Sequence, residues 1–124
     1  MRQNKHVTLA GLIASGAIFV AGSAAAHAKL VASDPVANAT VAAPKTISLT
    51  FDEKLTPAFS KFELSMPTMN GMKVKMKTTV SKDHRTIVGK PQGKLMAGAY
   101  MITWHAATSD DGHKMDGTVP FTVK

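Results

Sequence analysis

Apolar and polar residues alternate along most of this chain in short runs. In TISLTF (residues 46–51), Ile47, Leu49 and Phe51 alternate with polar residues, which is the period of two typical of a half-buried strand. The same alternation marks the runs KFELSM (61–66), KVKMKTTV (73–80), AYMITWH (99–105) and GTVPFTVK (117–124). Two further strand candidates are HAKLVASDP (27–35) and the short TIVG (86–89).

Turn-forming residues separate these runs. Asn70-Gly71 is a strong hairpin signal, and the polar sequence SKDHR, which includes His84, divides two other strands. No stretch shows helical periodicity. About seven short strands with turns between them predict an all-β fold, an immunoglobulin-like antiparallel β-sandwich or Greek-key barrel.

The first 26 residues differ from the rest. Arg2 and Lys5 precede an apolar, uncharged run from residue 7 to residue 22, and small residues follow in SAAAHA. This order is typical of a cleaved secretory signal peptide. Cleavage after Ala26 leaves His27 as the first residue, and cleavage after Ala28 leaves Lys29. We expect residues 1–26 to be the signal peptide and residues 27–124 to form one domain.

Composition narrows the chemistry. The chain has a formal charge of +7 and no cysteine, so thiolate metal ligands are excluded. The lysines are spread along the sequence, and with one Trp and one Tyr nothing resembles a nucleic-acid-binding module. No Ser-His-Asp arrangement or catalytic carboxylate pair indicates an enzyme or a small-molecule substrate.

A terminal His27 would offer an unusual chelate. Its α-amine and its imidazole Nδ1 can close a six-membered ring on one metal ion, and a further imidazole and a carboxylate would complete an N/O set that suits Cu(II). Asp111 and His113, in SDDGHKMDG (residues 109–117), can project to the same side of an extended chain. The alternative for these two residues is a solvated turn.

Methionines concentrate in MPTMNGMKVKM. Met66, Met69, Met72 and Met76 surround the Asn70-Gly71 turn, and thioether sulfur is a soft ligand that selects Cu(I). Methionines also fill irregular cores, and Met66 and Met76 continue the apolar faces of their strands. Met96 could add a thioether from a neighbouring strand.

The chain resembles the copper-resistance protein C (CopC) family. The resemblance rests on HAKLVASDP, VAAPKTISLTFDEKL, FSKFELSM, AGAYMITWH and SDDGHKMDGTVPFTVK, which together cover nearly all of residues 27–124. It implies a Cu(II) site formed by His27, Asp111 and His113, with Glu53 as a possible outer ligand. The spacing from Trp104 leaves the choice between Asp110 and Asp111 open, although the Asp-x-His pattern favours Asp111.

The resemblance also implies a function and a partner. We expect a periplasmic copper carrier or sequestering protein that exchanges copper with an inner-membrane copper transporter of the CopD type. Two alternatives stand beside it: a copper oxygenase, which also begins with a metal-chelating histidine, and a metal-free immunoglobulin-like structural domain.

Overall fold

The alternating runs form two β-sheets in the computed structural model, which describes residues 29–124. The strands of this part of the chain are β1 (Leu30–Asp34), β2 (Thr40–Val41), β3 (Ile47–Phe51), β4 (Lys61–Met66), β5 (Met72–Val74), β6 (Met76–Val80), β7 (Thr86–Pro91), β8 (Gly98–Ala107) and β9 (Lys114–Val123). One sheet has the order β1-β3-β7-β6 and the other β2-β9-β8-β4-β5. The predicted β-sandwich is therefore confirmed.

The core lies between the two sheets and contains the apolar positions that alternation predicted. Ile47, Leu49 and Phe51 are at most 1% exposed. Burying side chains of this size contributes roughly 1.5–3 kcal/mol each to the stability of the fold. Because the chain has no cysteine, this burial stabilises the domain without disulfides. Further buried core residues from the other strands are Phe62, Leu64, Met66, Ile87, Tyr100, Ile102, Trp104, Val119, Phe121 and Val123.

Two aromatic contacts organise this core. The rings of Phe51 and Trp104 meet edge to face with their centroids 5.0 Å apart, and Tyr100 and Phe121 stack at 5.4 Å. Such pairs add about 0.5–1.5 kcal/mol to the area they bury. Phe51 and Trp104 belong to different sheets, so their contact joins the two layers.

The structure differs from the sequence prediction in strand pairing. The run KVKMKTTV is not one strand: β5 pairs with β4, whereas β6 pairs with β7 in the other sheet. The chain crosses between the sheets at Lys75. Most neighbouring strands are antiparallel, but the two-residue strand β2 runs parallel to the end of β9, a pairing too short to be predicted from alternation.

Each end of the sandwich collects its own set of turns. The Asp-x-His end comprises Lys29, where the described residues begin, the segment 52–55, the turn 81–85 and the loop 108–113. These parts are joined by backbone hydrogen bonds. The opposite end comprises residues 42–46, the turn 67–71 and the turn 92–97. Within residues 29–124 no helix is long and apolar enough to cross a membrane.

Candidate metal centre

The loop 108–113 connects the two longest strands of the described chain, β8 and β9. Ala107 and Lys114 are the last cross-strand pair before it. Inside the loop, the Thr108 N–H donates to the His113 carbonyl at 3.0 Å and the Gly112 N–H donates to the Thr108 carbonyl at 3.1 Å. Gly112 has φ +71°, a conformation that glycine adopts without steric cost. The loop is thus a closed turn on a rigid hairpin.

Thr108 fixes the position of Asp111 within this turn. The buried Thr108 hydroxyl donates a hydrogen bond to Asp111 Oδ1, and the His113 N–H donates to the same oxygen at 3.1 Å. The Thr108 hydroxyl oxygen also accepts the His113 N–H at 3.1 Å. One threonine therefore joins the Asp111 carboxylate to the backbone of His113.

These hydrogen bonds change the acidity of Asp111. The hydrogen bond from the Thr108 hydroxyl, followed by that from the His113 N–H, lowers the pKa of Asp111 below its ordinary value of 3.8. Both donors stabilise the ionised form. Asp111 is exposed and stays a carboxylate at neutral pH, which is the form that binds a metal ion.

The neighbouring Asp110 has a different role in the loop. Its Oδ1 accepts the N–H of Asp111 at 2.8 Å. The Asp110 carboxylate thus accepts from the next residue of the turn, whereas Asp111 Oδ1 accepts the N–H of His113. This arrangement favours Asp111 over Asp110 as the carboxylate that acts together with His113.

The segment 52–55 links this loop to the start of the described chain. The Lys29 N–H donates to Asp52 Oδ1 at 2.7 Å, and the Asp52 N–H donates back to the Lys29 carbonyl at 3.1 Å. The Ser109 N–H donates to the Lys54 carbonyl at 2.9 Å. Lys29, the first described residue, therefore lies at the same end of the sandwich as Asp111 and His113.

His27, the first ligand predicted from sequence, lies outside the described residues. Within residues 29–124, no three His, Asp or Glu side chains form a ready-made metal site. Asp111 and His113 supply two donors of the types that Cu(II) accepts, an oxygen and an imidazole nitrogen, so the residues present fit part of the predicted set.

Glu53, the possible outer ligand, occupies the middle of the linking segment. It is half-buried and stands between exposed Asp52 and Lys54. The Thr56 hydroxyl donates to the Thr108 carbonyl at 3.3 Å, which ties the end of this segment to the base of the loop. Glu53 therefore lies at the Asp-x-His end of the sandwich.

The remaining described histidines lie outside this loop, on other elements. His84 is at φ +62° in the turn between β6 and β7, and its carbonyl accepts the Leu55 N–H at 2.7 Å, so it is a turn residue. His105 faces solvent, opposite the buried Trp104. It lies between Lys61 and Asp116 on the outer face of the five-stranded sheet.

The structure brings together some of the predicted methionines. Met66 and Met72 are cross-strand partners on β4 and β5, and they line one hollow together with Met96. The backbone of Met96 is fixed by a hydrogen bond, because the Tyr100 hydroxyl donates to the Met96 carbonyl at 2.7 Å. Burial raises the pKa of Tyr100, so this hydroxyl keeps its proton.

The other two methionines are placed differently. Met69 ends the short 3₁₀ turn Pro67–Met69 and is 48% exposed, outside the lining of that hollow. The Met76 methyl group packs with the Phe62 ring over Gly89, inside the sandwich. The four methionines of the turn region therefore do not converge at one point, whereas Met66, Met72 and Met96 do.

Two residues of this end, Thr108 and Asp52, are not predicted from the spacing of metal-ligand residue types. Thr108 has no ligand role, but its position three residues before Asp111 is a local hydrogen-bonding signal of the kind that Ser and Thr make in turns. Asp52 belongs to the run FDEKL, where no local pattern marks it as a link to another strand. Its bond to Lys29 depends on the pairing of β1 with β3, which no local pattern reveals.

Known proteins with similar sequences establish the family of this chain. A family model for the CopC domain matches residues 30–124. The chain belongs to the CopC family. It is 43% identical over 113 residues to copper resistance protein C of Xanthomonas campestris pv. juglandis, covering 87% of this chain and 88% of that protein. Copper resistance protein C of Escherichia coli is 39% identical, with 98% and 97% covered.

Solved structures share the fold of this CopC-family chain. The crystal structure of PcoC, a methionine-rich copper resistance protein from Escherichia coli, superposes with a TM-score of 0.72 at 39% identity, covering 80% of this chain and 100% of PcoC. A much longer protein, the copper transport protein CutJ of Bacillus subtilis, is 29% identical over 109 residues, which are 86% of this chain and 20% of CutJ. A domain like this one thus also occurs within a larger protein.

Proposed function

We propose that this protein is a periplasmic copper-binding protein that carries or sequesters copper in copper resistance. Copper is its cargo. We propose that Cu(II) is bound by the amine and imidazole of His27, exposed by cleavage after Ala26, together with Asp111 and His113. Membership of the CopC family supports the copper function, since its relatives are named copper resistance proteins.

One observation carries the site: the segment 52–55 is hydrogen-bonded to Lys29, the first described residue, on one side and to the Asp-x-His loop on the other. His27 precedes Lys29 by two residues, and two residues of extended chain reach about 7 Å. We propose that the first residue of the mature chain reaches Asp111 and His113 from Lys29 across this short span. Glu53, in the same segment, would add negative charge beside the ion.

Copper retention after desalting tests this site. The secreted protein is incubated with equimolar Cu(II), desalted and assayed for copper, beside the variants Asp111→Asn, His113→Ala and His84→Ala. We expect the first two variants to lose most of the metal and the His84 variant to keep it, because His84 belongs to a separate turn. Equal retention in all four proteins would contradict the ligand assignment.

A carrier function also predicts little catalysis. The copper-loaded protein is mixed with ascorbate and oxygen, and with polysaccharide substrates, and oxidation products are measured. We expect no substrate-dependent turnover. Robust turnover would favour the oxygenase alternative over the carrier.

For Cu(I) we propose a second site at the hollow lined by Met66, Met72 and Met96, with Met69 on the adjoining turn. Thioethers select Cu(I), and the hollow lies far along β4 and β8 from the Asp-x-His loop, so oxidation state would decide which site is filled. Met96→Leu and Met72→Leu should each weaken Cu(I) binding, measured by competition with a chromophoric chelator. Met76→Leu is the matched control, because Met76 packs over Gly89, and a larger loss in this control would refute the assignment.

We further propose that the partner is an inner-membrane copper transport protein of the CopD type. The occurrence of a similar domain within the copper transport protein CutJ supports a functional link between such domains and copper transport. Copper transfer between the loaded protein and vesicles that contain the transporter tests this link. Transfer should depend on the transporter, and transfer to empty vesicles at the same rate would contradict the proposal.

A further inference from the structure

The charges of this protein are distributed unequally between the two ends of the sandwich. Five acidic residues belong to the Asp-x-His end, where they stand among Lys29, Lys54, Lys82 and Arg85: they are Asp52, Glu53, Asp83, Asp110 and Asp111. The opposite end contains Lys45 and Lys94, and Asp34 ends β1 there, opposite Ser48. Without Arg2 and Lys5, residues 29–124 contain 13 Lys and Arg and eight Asp and Glu, a net charge of +5. The Asp-x-His end holds four of the basic and five of the acidic residues, so the positive excess lies outside that end.

Lysines and apolar side chains form one continuous surface at that end. Lys45, Lys94, Pro44 and Pro91 line one hollow, and Lys94 also lines the hollow that contains Met72 and Met96. Because Lys94 belongs to both, the two hollows adjoin. Met72 is 44% exposed and Met96 is 54% exposed, so apolar groups reach solvent between the ammonium groups.

The surface continues onto the outer face of β6 and β7. Lys77 and Lys90 are direct cross-strand partners, and with Thr79 and Val88 they line a further shallow hollow. Like charges directly opposite each other destabilise a sheet. Pro91, next to Lys90, joins this face to the hollow of Lys45 and Lys94. We call the set Lys45, Lys77, Lys90, Lys94, Met72 and Met96 the lysine surface.

No acidic side chain of the described residues lines any of these hollows. The one salt bridge found within residues 29–124 joins Lys73 Nζ to Glu63 Oε2 at 3.4 Å. Neither residue is a member of the lysine surface, although the pair lies beside it. A like-charge pair on an edge strand without a counter-charge is a local cost to the fold. Such violations of local stability rules are expected where a surface serves a function.

We propose that the lysine surface docks this protein onto an anionic membrane surface. Lysines with interleaved apolar side chains match the interfacial region of a bilayer, where ammonium groups meet lipid phosphates and apolar groups enter the headgroup layer. The lysines lie on several separate elements, as suits a plane of negative charge rather than one carboxylate pocket. Docking in this way points the Asp-x-His end away from the membrane and the methionine hollow towards it.

Vesicle co-sedimentation tests the proposal without copper. The secreted protein is mixed with vesicles of phosphatidylcholine alone and with vesicles that contain phosphatidylglycerol, at low salt and at high salt. We expect binding only to the anionic vesicles, with most of it lost at high salt, because exposed charges are screened beyond a Debye length of about 10 Å at 0.1 M salt.

Two triple variants with equal charge locate the contact. Lys45→Gln, Lys90→Gln and Lys94→Gln together should reduce binding to anionic vesicles by about tenfold or more, since each lysine near such a surface contributes several-fold. The matched control, Lys54→Gln, Lys61→Gln and Lys82→Gln together, removes the same charge elsewhere and should stay within about twofold of the parent protein. Circular dichroism establishes that both variants are folded.

Three results would overturn the proposal. The first is an equal loss of binding in both triple variants, which would make the attraction a matter of net charge alone. The second is salt-insensitive binding to phosphatidylcholine. The third is binding to polyglutamate, abolished by the lysine-surface variant, without binding to anionic vesicles, which would assign the surface to an acidic protein partner.

Discussion

Thr108 is the residue whose importance is least visible in the sequence. Its buried hydroxyl joins Asp111 Oδ1 to the His113 N–H, so it orients both proposed ligands of the loop without binding the metal itself. Partners that orient ligands in this way typically affect metal affinity by about 10–100-fold.

We therefore predict that Thr108→Val weakens Cu(II) binding by about tenfold or more. Valine keeps the shape of threonine but removes the donor to Asp111 and the acceptor for His113. Cu(II) affinity is measured by competition with a chelator, with Thr78→Val as the matched control, since Thr78 lies on β6. Unchanged affinity in Thr108→Val would show that the hydroxyl does not position the loop.

The lowered pKa of Asp111 predicts a specific dependence of stability on pH. Because the pKa is depressed in the folded protein, the stabilisation is present above the ordinary value of 3.8 and disappears as the pH falls through the folded value. Thermal unfolding of the copper-free protein and of Asp111→Asn is compared from acidic to neutral pH.

In that comparison, the parent protein should exceed the Asn variant in stability at neutral pH, and the difference should shrink towards zero in acid. The change should lie below pH 3.8, the ordinary value for this carboxyl. A difference that grows as the pH falls would have the wrong sign and would refute the hydrogen-bonding account of Asp111.

At the scale of elements, the hairpin of β8 and β9 carries the Asp-x-His loop and depends on close packing beneath it. Gly117 of β9 pairs with Trp104 of β8. A Cβ atom at residue 117 would lie 2.5 Å from Trp104 Cζ2, too close for any real contact, and the indole is held against Phe51. The glycine thus leaves room for the ring that joins the sheets.

We predict that Gly117→Ala destabilises the fold by about 1–3 kcal/mol, the usual cost of overpacking a core. Chemical denaturation measures the loss, and the emission of Trp104, the single tryptophan, should shift as the ring moves. Thr118→Ala, at the exposed neighbouring position of β9, is the control for changes on this strand. Parent-like stability and emission in Gly117→Ala would contradict the packing shown here.

The alternation of apolar and polar residues correctly predicted the strands that stay in one sheet and bury one face. Residues 46–51 and 99–105 fall within or beside β3 and β8, and their alternate residues are buried as expected. The same alternation predicted one strand in KVKMKTTV, where the structure has two. The inward-facing positions remain in phase across Lys75, but the hydrogen-bonded neighbour changes from β4 to β7. Local periodicity reports burial and contains no information about the neighbouring strand.

Local sequence likewise predicted only part of the candidate site. The types and spacing of Asp111 and His113 marked the loop, and its local hydrogen bonds agree with a D-x-H turn. The link from Lys29 through the segment 52–55 to Ser109 could not be read from sequence, because it arises from contacts between residues far apart in the chain. The convergence of Met96 with Met66 and Met72 likewise depends on how β8 and β4 are paired.

At the scale of the whole molecule, the sandwich separates two kinds of chemistry. One end carries carboxylates, His113 and the start of the described chain, and the other carries thioethers among lysines. Under the proposed function, Cu(II) is held at the first end and Cu(I) at the second. Under the further inference, the second end also faces the membrane.

The proposed Cu(II) site requires that His27, as the first residue of the mature protein, is a copper ligand. A comparison of Cu(II) affinities tests this requirement directly. Cu(II) affinity is compared between the protein that begins at His27, verified by intact mass, and the same protein with one alanine added before His27. The added residue removes the amine from the chelate, so the affinity should fall by more than about 100-fold, beyond the usual effect of a merely orienting group. Equal affinities in the two proteins would contradict the account.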